Sequence, residues 1–311
     1  MSWAFAQGCR VRDAVINKEE GRMQTFKLAL IQHASPVGSK SENLERTATW
    51  ARKASKAGAT LACFSELGLT GHAGHPAMVQ EAEPVPEGPS VEFLCTLASD
   101  LNIYICAGIA EDDRGIHYNT QFIVGPEGYV GKQRKIHLSR DEHYYFRGGT
   151  AVPVLELPMA RAGIVICYDN LFPEVSRLAA IKGAEVYLMP HAARFGKWPQ
   201  EEAQRADTVK HTKAQWRLYA AARAYDNGMY VVVNNQAGRA GRKPLANHAG
   251  GILIFGPAGE VITESKTRRI EEELVMRRLS AAAFQARRES ACFNLQTRRP
   301  ELYWDLVQTT D

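Results

Sequence analysis

The chain has 311 residues, 45% of them hydrophobic and 23% charged, a balance ordinary for a globular protein able to bury a sizeable core. A net charge of +4 is too small to point to nucleic acid, and no apolar run reaches the ~18 residues a membrane helix needs. The amino end carries only a short apolar stretch, Trp3 to Ala6, with basic residues after it rather than before, which does not read as a secretory signal.

The six cysteines (Cys9, Cys63, Cys95, Cys106, Cys167 and Cys292) show no paired spacing, so a reduced, cytoplasmic protein with free thiols is expected. No Cys/His cluster has metal-ligand spacing, and there is neither a Walker loop nor a dinucleotide fingerprint. No metal and no cofactor are expected. Basic pairs at 268–269, 277–278, 287–288 and 298–299, partly offset by Glu271, Glu272 and Glu273, read as a solvated or subunit-facing surface.

Residues 1–23 follow neither the helical nor the strand period and read as an appendage to a single domain over 24–311. FKLALIQ at 26–32 alternates and is a predicted strand. Leu44, Ala48, Ala51 and Ala54 recur at helical spacing over 41–57, and Gly58 ends that helix. A short apolar run at 59–66 ends in Glu66; a helix over 89–100 and a strand over 103–111 follow. Residues 117–135 form a hairpin about Gly125-Pro126-Glu127-Gly128. VPVLELP and RAGIVICYD are strands, and 173–183 is a helix with Pro173 in its first turn. A strand at 185–190 leads into a polar, irregular stretch at 191–206. A long helix then runs to about Asn227, closed by Gly228. MYVVVNNQ, GGILIFG, GEVITES and IEEELVM are four more strands, before a helix and an irregular tail. No sequence repeat is visible. Strands alternate with helices early, and hairpins come later, which suggests two mixed sheets packed face to face with helices outside.

Breaking an unactivated C–N bond needs a nucleophile, a proton shuttle and groups that stabilise an oxyanion. Ionisable side chains at the carboxyl ends of strands are the candidates, because open α/β sheets place ligand sites there. Cys167 ends such a strand and precedes a turn and a helix, a placement that biases a thiol towards thiolate. Taken alone it fits a buried structural cysteine better than a nucleophile. Glu66, flanked by Phe64 and Leu67, is either a capping carboxylate or a base whose pKa burial would raise. Lys135 in Lys132-Gln133-Arg134-Lys135, and Glu142 in the loop that follows, read by themselves as solvated charges.

Together these segments resemble the nitrilase (carbon–nitrogen hydrolase) superfamily. Phe64-Ser65-Glu66 matches its pattern about the general base, although serine stands where proline is usual. Arg134-Lys135-Ile136-His137-Leu138 matches the catalytic-lysine pattern. Cys167-Tyr168-Asp169-Asn170-Leu171-Phe172-Pro173-Glu174 matches the nucleophile elbow, and Arg177 fits its end loosely. Ala222-Arg223-Ala224-Tyr225-Asp226-Asn227 is similar to a family helix end, with aspartate at 226 in place of glutamate. Arg299-Pro300-Glu301-Leu302-Tyr303 looks like the carboxyl-terminal signature, so the resemblance spans roughly 24–305.

The resemblance implies a four-layer α-β-β-α sandwich of two mixed sheets that pairs into a homodimer or higher homo-oligomer, with the tail in subunit contacts. It implies Cys167 as nucleophile, Glu66 as general base, Lys135 with the Tyr168 backbone N–H at the oxyanion, and Glu142 holding the lysine and orienting the amide. Tyr168, Asn170, His191 and Phe195 are the candidate substrate-binding residues, and Trp198 shares the loop that would line or lid the pocket. The expected reaction is hydrolysis of a linear amide or N-carbamoyl compound through a thioester. Nitrile hydrolysis by the same residues, a non-catalytic binding protein on the same fold, and a redox-sensing thiol at Cys167 remain open. A small-molecule amide is the expected partner, with no nucleic acid and no membrane.

Overall fold

The alternation in FKLALIQ becomes β1 (Phe26–Gln32), with Leu28 and Leu30 on one face and Ala29 and Ile31 on the other. The computed structural model describes residues 23–241, 246–266, 270–291 and 293–308. The appendage expected over 1–23 therefore lies, up to residue 22, outside the described residues, as do Cys9, Cys292 and the basic pair at 268–269.

β1 is followed by α1 (Lys40–Lys56), β2 (Leu61–Cys63), α2 (Pro89–Leu101), β3 (Tyr104–Asp113), β4 (Ile116–Gly125) and β5 (Gly128–Arg134). The second half runs β6 (Val154–Glu156), β7 (Arg161–Ile164), α3 (Pro173–Ile181), β8 (Val186–His191), β9 (Arg194–Phe195), α4 (Glu202–Asn227) and β10 (Tyr230–Asn235). β11 (Ala237–Arg239), β12 (Asn247–Ala249), β13 (Ile252–Phe255), β14 (Val261–Glu264), β15 (Glu273–Leu279) and α5 (Ala281–Arg288) complete it.

Two six-stranded mixed sheets form, in the orders β15-β1-β2-β3-β4-β5 and β14-β13-β10-β8-β7-β6. Each has three parallel strands at its centre (β1, β2, β3 and β7, β8, β10) and antiparallel strands at its margins. Both halves thus repeat strand–helix–strand–helix–strand and then two antiparallel strands. The repeat lies in topology, so a search for similar residues misses it.

Leu28, Leu30, Cys63 and Cys106 of the first sheet join Ile164, Leu188 and Val232 of the second in one buried cluster between the sheets. On the other side, Ala29, Ile31 and Ile105 pack on Ala48, Ala51 and Ala54 of α1 and on Leu94 and Ala98 of α2. Alanine at these helix positions lets α1 lie close to the sheet. Asn234 and Gln236 reach across the inter-sheet layer with hydrogen bonds. Asn234 Nδ2 donates to the Ile31 and Cys63 carbonyls at 3.3 Å each, and Gln236 Nε2 to the Glu66 carbonyl at 2.7 Å.

Two boundaries differ from expectation. The run at 59–66 yields only three strand residues, because the chain leaves the sheet before Glu66. The stretch at 191–206 is not wholly irregular: β9 pairs with β12 in a small third sheet, and α4 begins at Glu202. Alternation cannot reveal strands of two or three residues. Cys63, Cys106 and Cys167 are free thiols, whereas Cys95, buried on α2, is disulfide-bonded, so the expectation of free thiols fails there. No helix among the described residues is long and apolar enough to cross a membrane.

Leu30 is fully buried between the sheets. Leu30→Ala should cost about 2–5 kcal/mol, read as a lowered melting temperature by circular dichroism.

Candidate active site

The carboxyl ends of β2, β5, β7, β8 and β10 meet at one end of the sandwich. Just beyond them lie Glu66, Lys135, Cys167 and Gln236, and His191 is the last residue of β8. The chain rises through the strands as regular apolar structure and turns sharply once past them. Leu67, Arg140 and Cys167 are non-glycine residues in the left-handed region, each at φ +47°. Each such residue costs on the order of 1–3 kcal/mol, so surrounding contacts must enforce it. Cys167 opens a short 3-10 turn, Cys167–Leu171, with α3 directly behind.

Lys135 is fully buried, and its Nζ lies 2.7 Å from Glu66 Oε1 and 2.8 and 2.7 Å from the two Glu142 oxygens. Asn119 Nδ2 donates to Glu66 Oε1 at 2.8 Å and to Glu142 Oε1 at 3.1 Å. The Ala192 N–H donates to Glu66 Oε2 at 2.7 Å. Ser139 gives its N–H and hydroxyl to Glu142 Oε2 at 2.8 and 2.7 Å, and His72 Nε2 lies 3.3 Å from Oε1. Atoms of Glu66, His72 and Glu142 lie within 4.8 Å of one another, which could suit a cation. Lys135 already puts a positive charge between the two carboxylates.

Burial raises the Glu66 pKa, but charges led by Lys135 outweigh it, and the net shift is downward. Glu142 is likewise pushed up by burial and pulled far down by Lys135 and by the hydrogen bond from His72. Burial acts to lower the Lys135 pKa, yet Glu66, Cys167 and Glu142 carry it upward, so it stays an ammonium. Burial, reinforced by the Glu66 and Glu142 charges, pushes the Cys167 thiol well above its ordinary value despite Lys135. Two expectations are corrected. Glu66 is not raised towards neutrality, because an ammonium touches it. Cys167 is not biased towards thiolate, because burial, with two carboxylates behind it, outweighs Lys135 and the turn. At rest the site holds a thiol beside an ionised carboxylate.

Asp169 ties the nucleophile to the lysine. Its carboxylate accepts from the Ile136 N–H at 3.2 Å, the His137 N–H at 2.6 Å and His137 Nδ1 at 2.9 Å. The His137 ring stacks on Phe172 with centroids 3.7 Å apart. The segment after Lys135 and the turn after Cys167 are thereby one unit.

An open cavity of about 600 Å³ reaches Cys167. Tyr168 and His191 line it. Asn170 and Phe195 do not. The Asn170 amide turns inward to the Cys167 carbonyl at 2.9 Å and to His191 Nε2 at 3.2 Å, bracing the turn. Phe195 packs beside Trp198 in the outer loop, with ring centroids 6.0 Å apart. Walls not foreseen are His72, Ser139, Arg140 and Arg194, with Trp216, Leu218 and Tyr219 of α4. Arg194 is held by Asp141 at 2.6 and 3.1 Å. Cys167 is the one cysteine lining the cavity among the described residues, which gives a redox reading no resolving thiol there.

A family model described as Carbon-nitrogen hydrolase matches residues 27–289. A protein named nitrilase from Pyrococcus abyssi is 33% identical over 251 residues, covering 80% of this chain and 87% of its own length. A human protein named omega-amidase NIT2 is 30% identical over 267 residues, covering 81% and 88%. The crystal structure of Saccharomyces cerevisiae Nit3, a member of branch 10 of the nitrilase superfamily, aligns with a TM-score of 0.76 at 26% identity, covering 89% of this chain and 98% of that one.

The pKa directions set an acid limit. His191 and His248 are driven down by burial from 6.5 to about 4 and about 3, so they contribute stability above pH 6.5 that is lost as pH falls through those values. Glu66, Glu111 and Glu142, all net lowered from 4.5, add a second loss below pH 4.5. Melting temperature should therefore decline gently below pH 6.5 and more steeply below pH 4.5; a flat profile over pH 4–7 would contradict the buried, neutral state of these histidines.

Proposed function

The chain belongs to the carbon–nitrogen hydrolase family and is an enzyme of that class, and from this we propose that it hydrolyses a small linear amide or N-carbamoyl compound through a thioester on Cys167. The observation that carries the reading is the buried Lys135 ammonium between Glu66 and Glu142, next to a thiol that opens on a cavity.

In this reading Glu66 takes the Cys167 proton as sulfur bonds to the carbonyl carbon. A base is required because the thiol does not ionise by itself near neutrality. The oxyanion forms beside Lys135 and the Tyr168 backbone N–H, where fixed charge in a dry pocket is most effective. Glu66 then protonates the nitrogen, the C–N bond breaks, and ammonia or an amine leaves. Water gives a proton to Glu66 and its oxygen attacks the thioester. The C–S bond breaks, acid departs, and the proton returns to sulfur. Glu142 holds Lys135 throughout. Since Lys135 keeps Glu66 ionised, the base is ready at neutral pH without a raised pKa. Tyr168 and His191 border the acyl group.

Ammonia release should be scored over a panel of linear amides, N-carbamoyl compounds and nitriles. Amides or carbamoyl compounds are expected to react, and Cys167→Ala should reduce release to background. Glu66→Gln should lower kcat by about 10²–10⁴-fold. Intact-mass detection of an acyl adduct on Cys167 should accompany turnover. Turnover of nitriles alone would replace the amide half of the reading with nitrile hydrolysis, and full activity in Cys167→Ala would end it. An inert wild type that still binds the amides would favour a binding protein on this fold.

We also propose that the chain works as a homo-oligomer. Leu178 and Ile181 on α3, Leu218 and Tyr225 on α4, and Leu302, Trp304 and Leu306 in the tail are exposed apolar residues. The tail reaches α3 and α4, since Leu306 shares a small cavity with Arg177 and Arg223. An apolar face of this kind fits a partner surface. Light scattering should give at least a dimer mass, and Leu178→Glu should shift the population to monomer; a monomeric wild type at micromolar concentration would remove this proposal.

A further inference from the structure

His72 touches the carboxylates of the site but has no part in the steps above. It follows Gly71, whose φ of +80° turns the chain at the end of the Glu66 loop. Its ring is buried and lines the cavity that also reaches Cys167. Nε2 lies 3.3 Å from Glu142 Oε1. An ionised carboxylate only accepts, so Nε2 carries the hydrogen. A neutral ring has a single N–H, which leaves Nδ1 as an acceptor. Nδ1 is buried and has no hydrogen-bond partner.

A buried polar atom without a partner costs about 1–3 kcal/mol. At a cavity wall a ligand can supply the missing partner. The ring is held in place from behind: His248 Nε2 lies 3.1 Å from the His72 carbonyl oxygen, and the two rings meet edge to face with centroids 6.3 Å apart. Lys135 Nζ and Asn119 Nδ2 each bond both carboxylates. Of the buried acceptors without a partner near the two carboxylates, Asn119 Oδ1 and His72 Nδ1, only His72 belongs to a residue that lines the cavity.

We propose that His72 is a substrate-binding residue whose Nδ1 accepts an N–H of the scissile carboxamide. The proposal rests on the amide reading given above and sharpens it. With the carbonyl oxygen at Lys135 and one N–H on Nδ1, the nitrogen keeps its lone pair for the proton that Glu66 delivers. Nitriles and esters have no such N–H and gain nothing from His72. The residue thereby favours amides carrying N–H over other acyl donors that Cys167 could attack.

The test compares kcat/KM on a primary amide and on the methyl ester of the same acid. His72→Gln keeps a side-chain N–H for Glu142 but removes the acceptor at the Nδ1 position. The amide-to-ester ratio should fall about tenfold in His72→Gln, equivalent to ~1.4 kcal/mol, with KM for the amide rising. His72→Asn, whose Oδ1 can stand where Nδ1 stood, should recover part of that ratio. Equal losses on amide and ester, or an unchanged ratio, would overturn the proposal and leave His72 as a support for Glu142. Should His72→Gln fail to fold, Cys167→Ala serves instead: it should bind the amide about tenfold more tightly than the ester, and equal affinities would overturn the proposal. A wild type that cleaves esters or nitriles but no amide would fail the amide reading itself, a result distinct from a wild-type amidase whose ratio does not depend on His72.

Discussion

One buried ammonium governs this site. Glu66 and Glu142 both bond to Asn119, and at such separation two ionised carboxylates inside a protein would force one to take up a proton. Lys135 stands between them and keeps both ionised. Taking three charges out of water costs several kcal/mol per ion unless their remaining valences are filled. Here they are filled densely: Glu66 accepts from Lys135, Asn119 and the Ala192 N–H, and Glu142 from Lys135, Asn119, His72 and Ser139. The cluster still carries one more negative than positive charge when His72 is neutral. That excess adds to burial in holding the adjacent thiol protonated. Lysine therefore does two opposed things: it makes Glu66 a ready base, and it offsets only part of the field that keeps Cys167 from ionising early.

The fold sets up this arrangement by backbone constraint. Leu67, Arg140 and Cys167 all adopt the left-handed conformation next to groups of the cluster. Such geometry persists only where its surroundings over-determine it. Gln236 grips the Glu66 carbonyl from the opposite sheet, Ser139 closes on Glu142, and Asn170 braces the Cys167 turn. The topological repeat explains why these contacts can converge. Both sheets end their parallel strands on the same side, so the loops that carry Glu66 and Cys167 face each other across the inter-sheet layer.

What could be read from the residues follows from the range of the forces involved. β1 and the end of α4 at Gly228 are local patterns, and the alternation of FKLALIQ and the αL glycine disclose them directly. Glu66, Lys135, Cys167 and Glu142 were legible through motifs, and the structure brings them together. The direction of the Glu66 and Cys167 shifts was not legible. It depends on distances of under 3 Å between residues 69 and 126 positions apart. Asn119 sits in a strand with no motif about it, and its amide matters only because two distant carboxylates converge there. Asp169 was in plain view within the elbow, yet its partners at 136 and 137 are visible only in three dimensions. Asn170 was misplaced for the same reason: a polar residue beside a nucleophile looks like a ligand contact until its amide is seen to point inward.

Because Asp169 binds the segment after Lys135 to the turn after Cys167, neither can shift without the other. The chemical wall of the cavity is thus nearly rigid. The facing wall is different in kind. Trp216, Leu218 and Tyr219 project from a long helix, and Arg194 reaches in from a two-residue strand whose charge is anchored to Asp141. Changes there alter the shape and polarity offered to the acyl group without disturbing a hydrogen bond of the charged cluster. The exception is Asp141, which neighbours Glu142 in the same 3-10 turn and holds Arg194. Through that pair the substrate-facing loop and the lysine's second carboxylate share one support. A ligand that drew Arg194 away would loosen the turn that fixes Glu142, so the Asp141–Arg194 contact couples the outer wall of the cavity to a carboxylate that His72 and Ser139 touch directly.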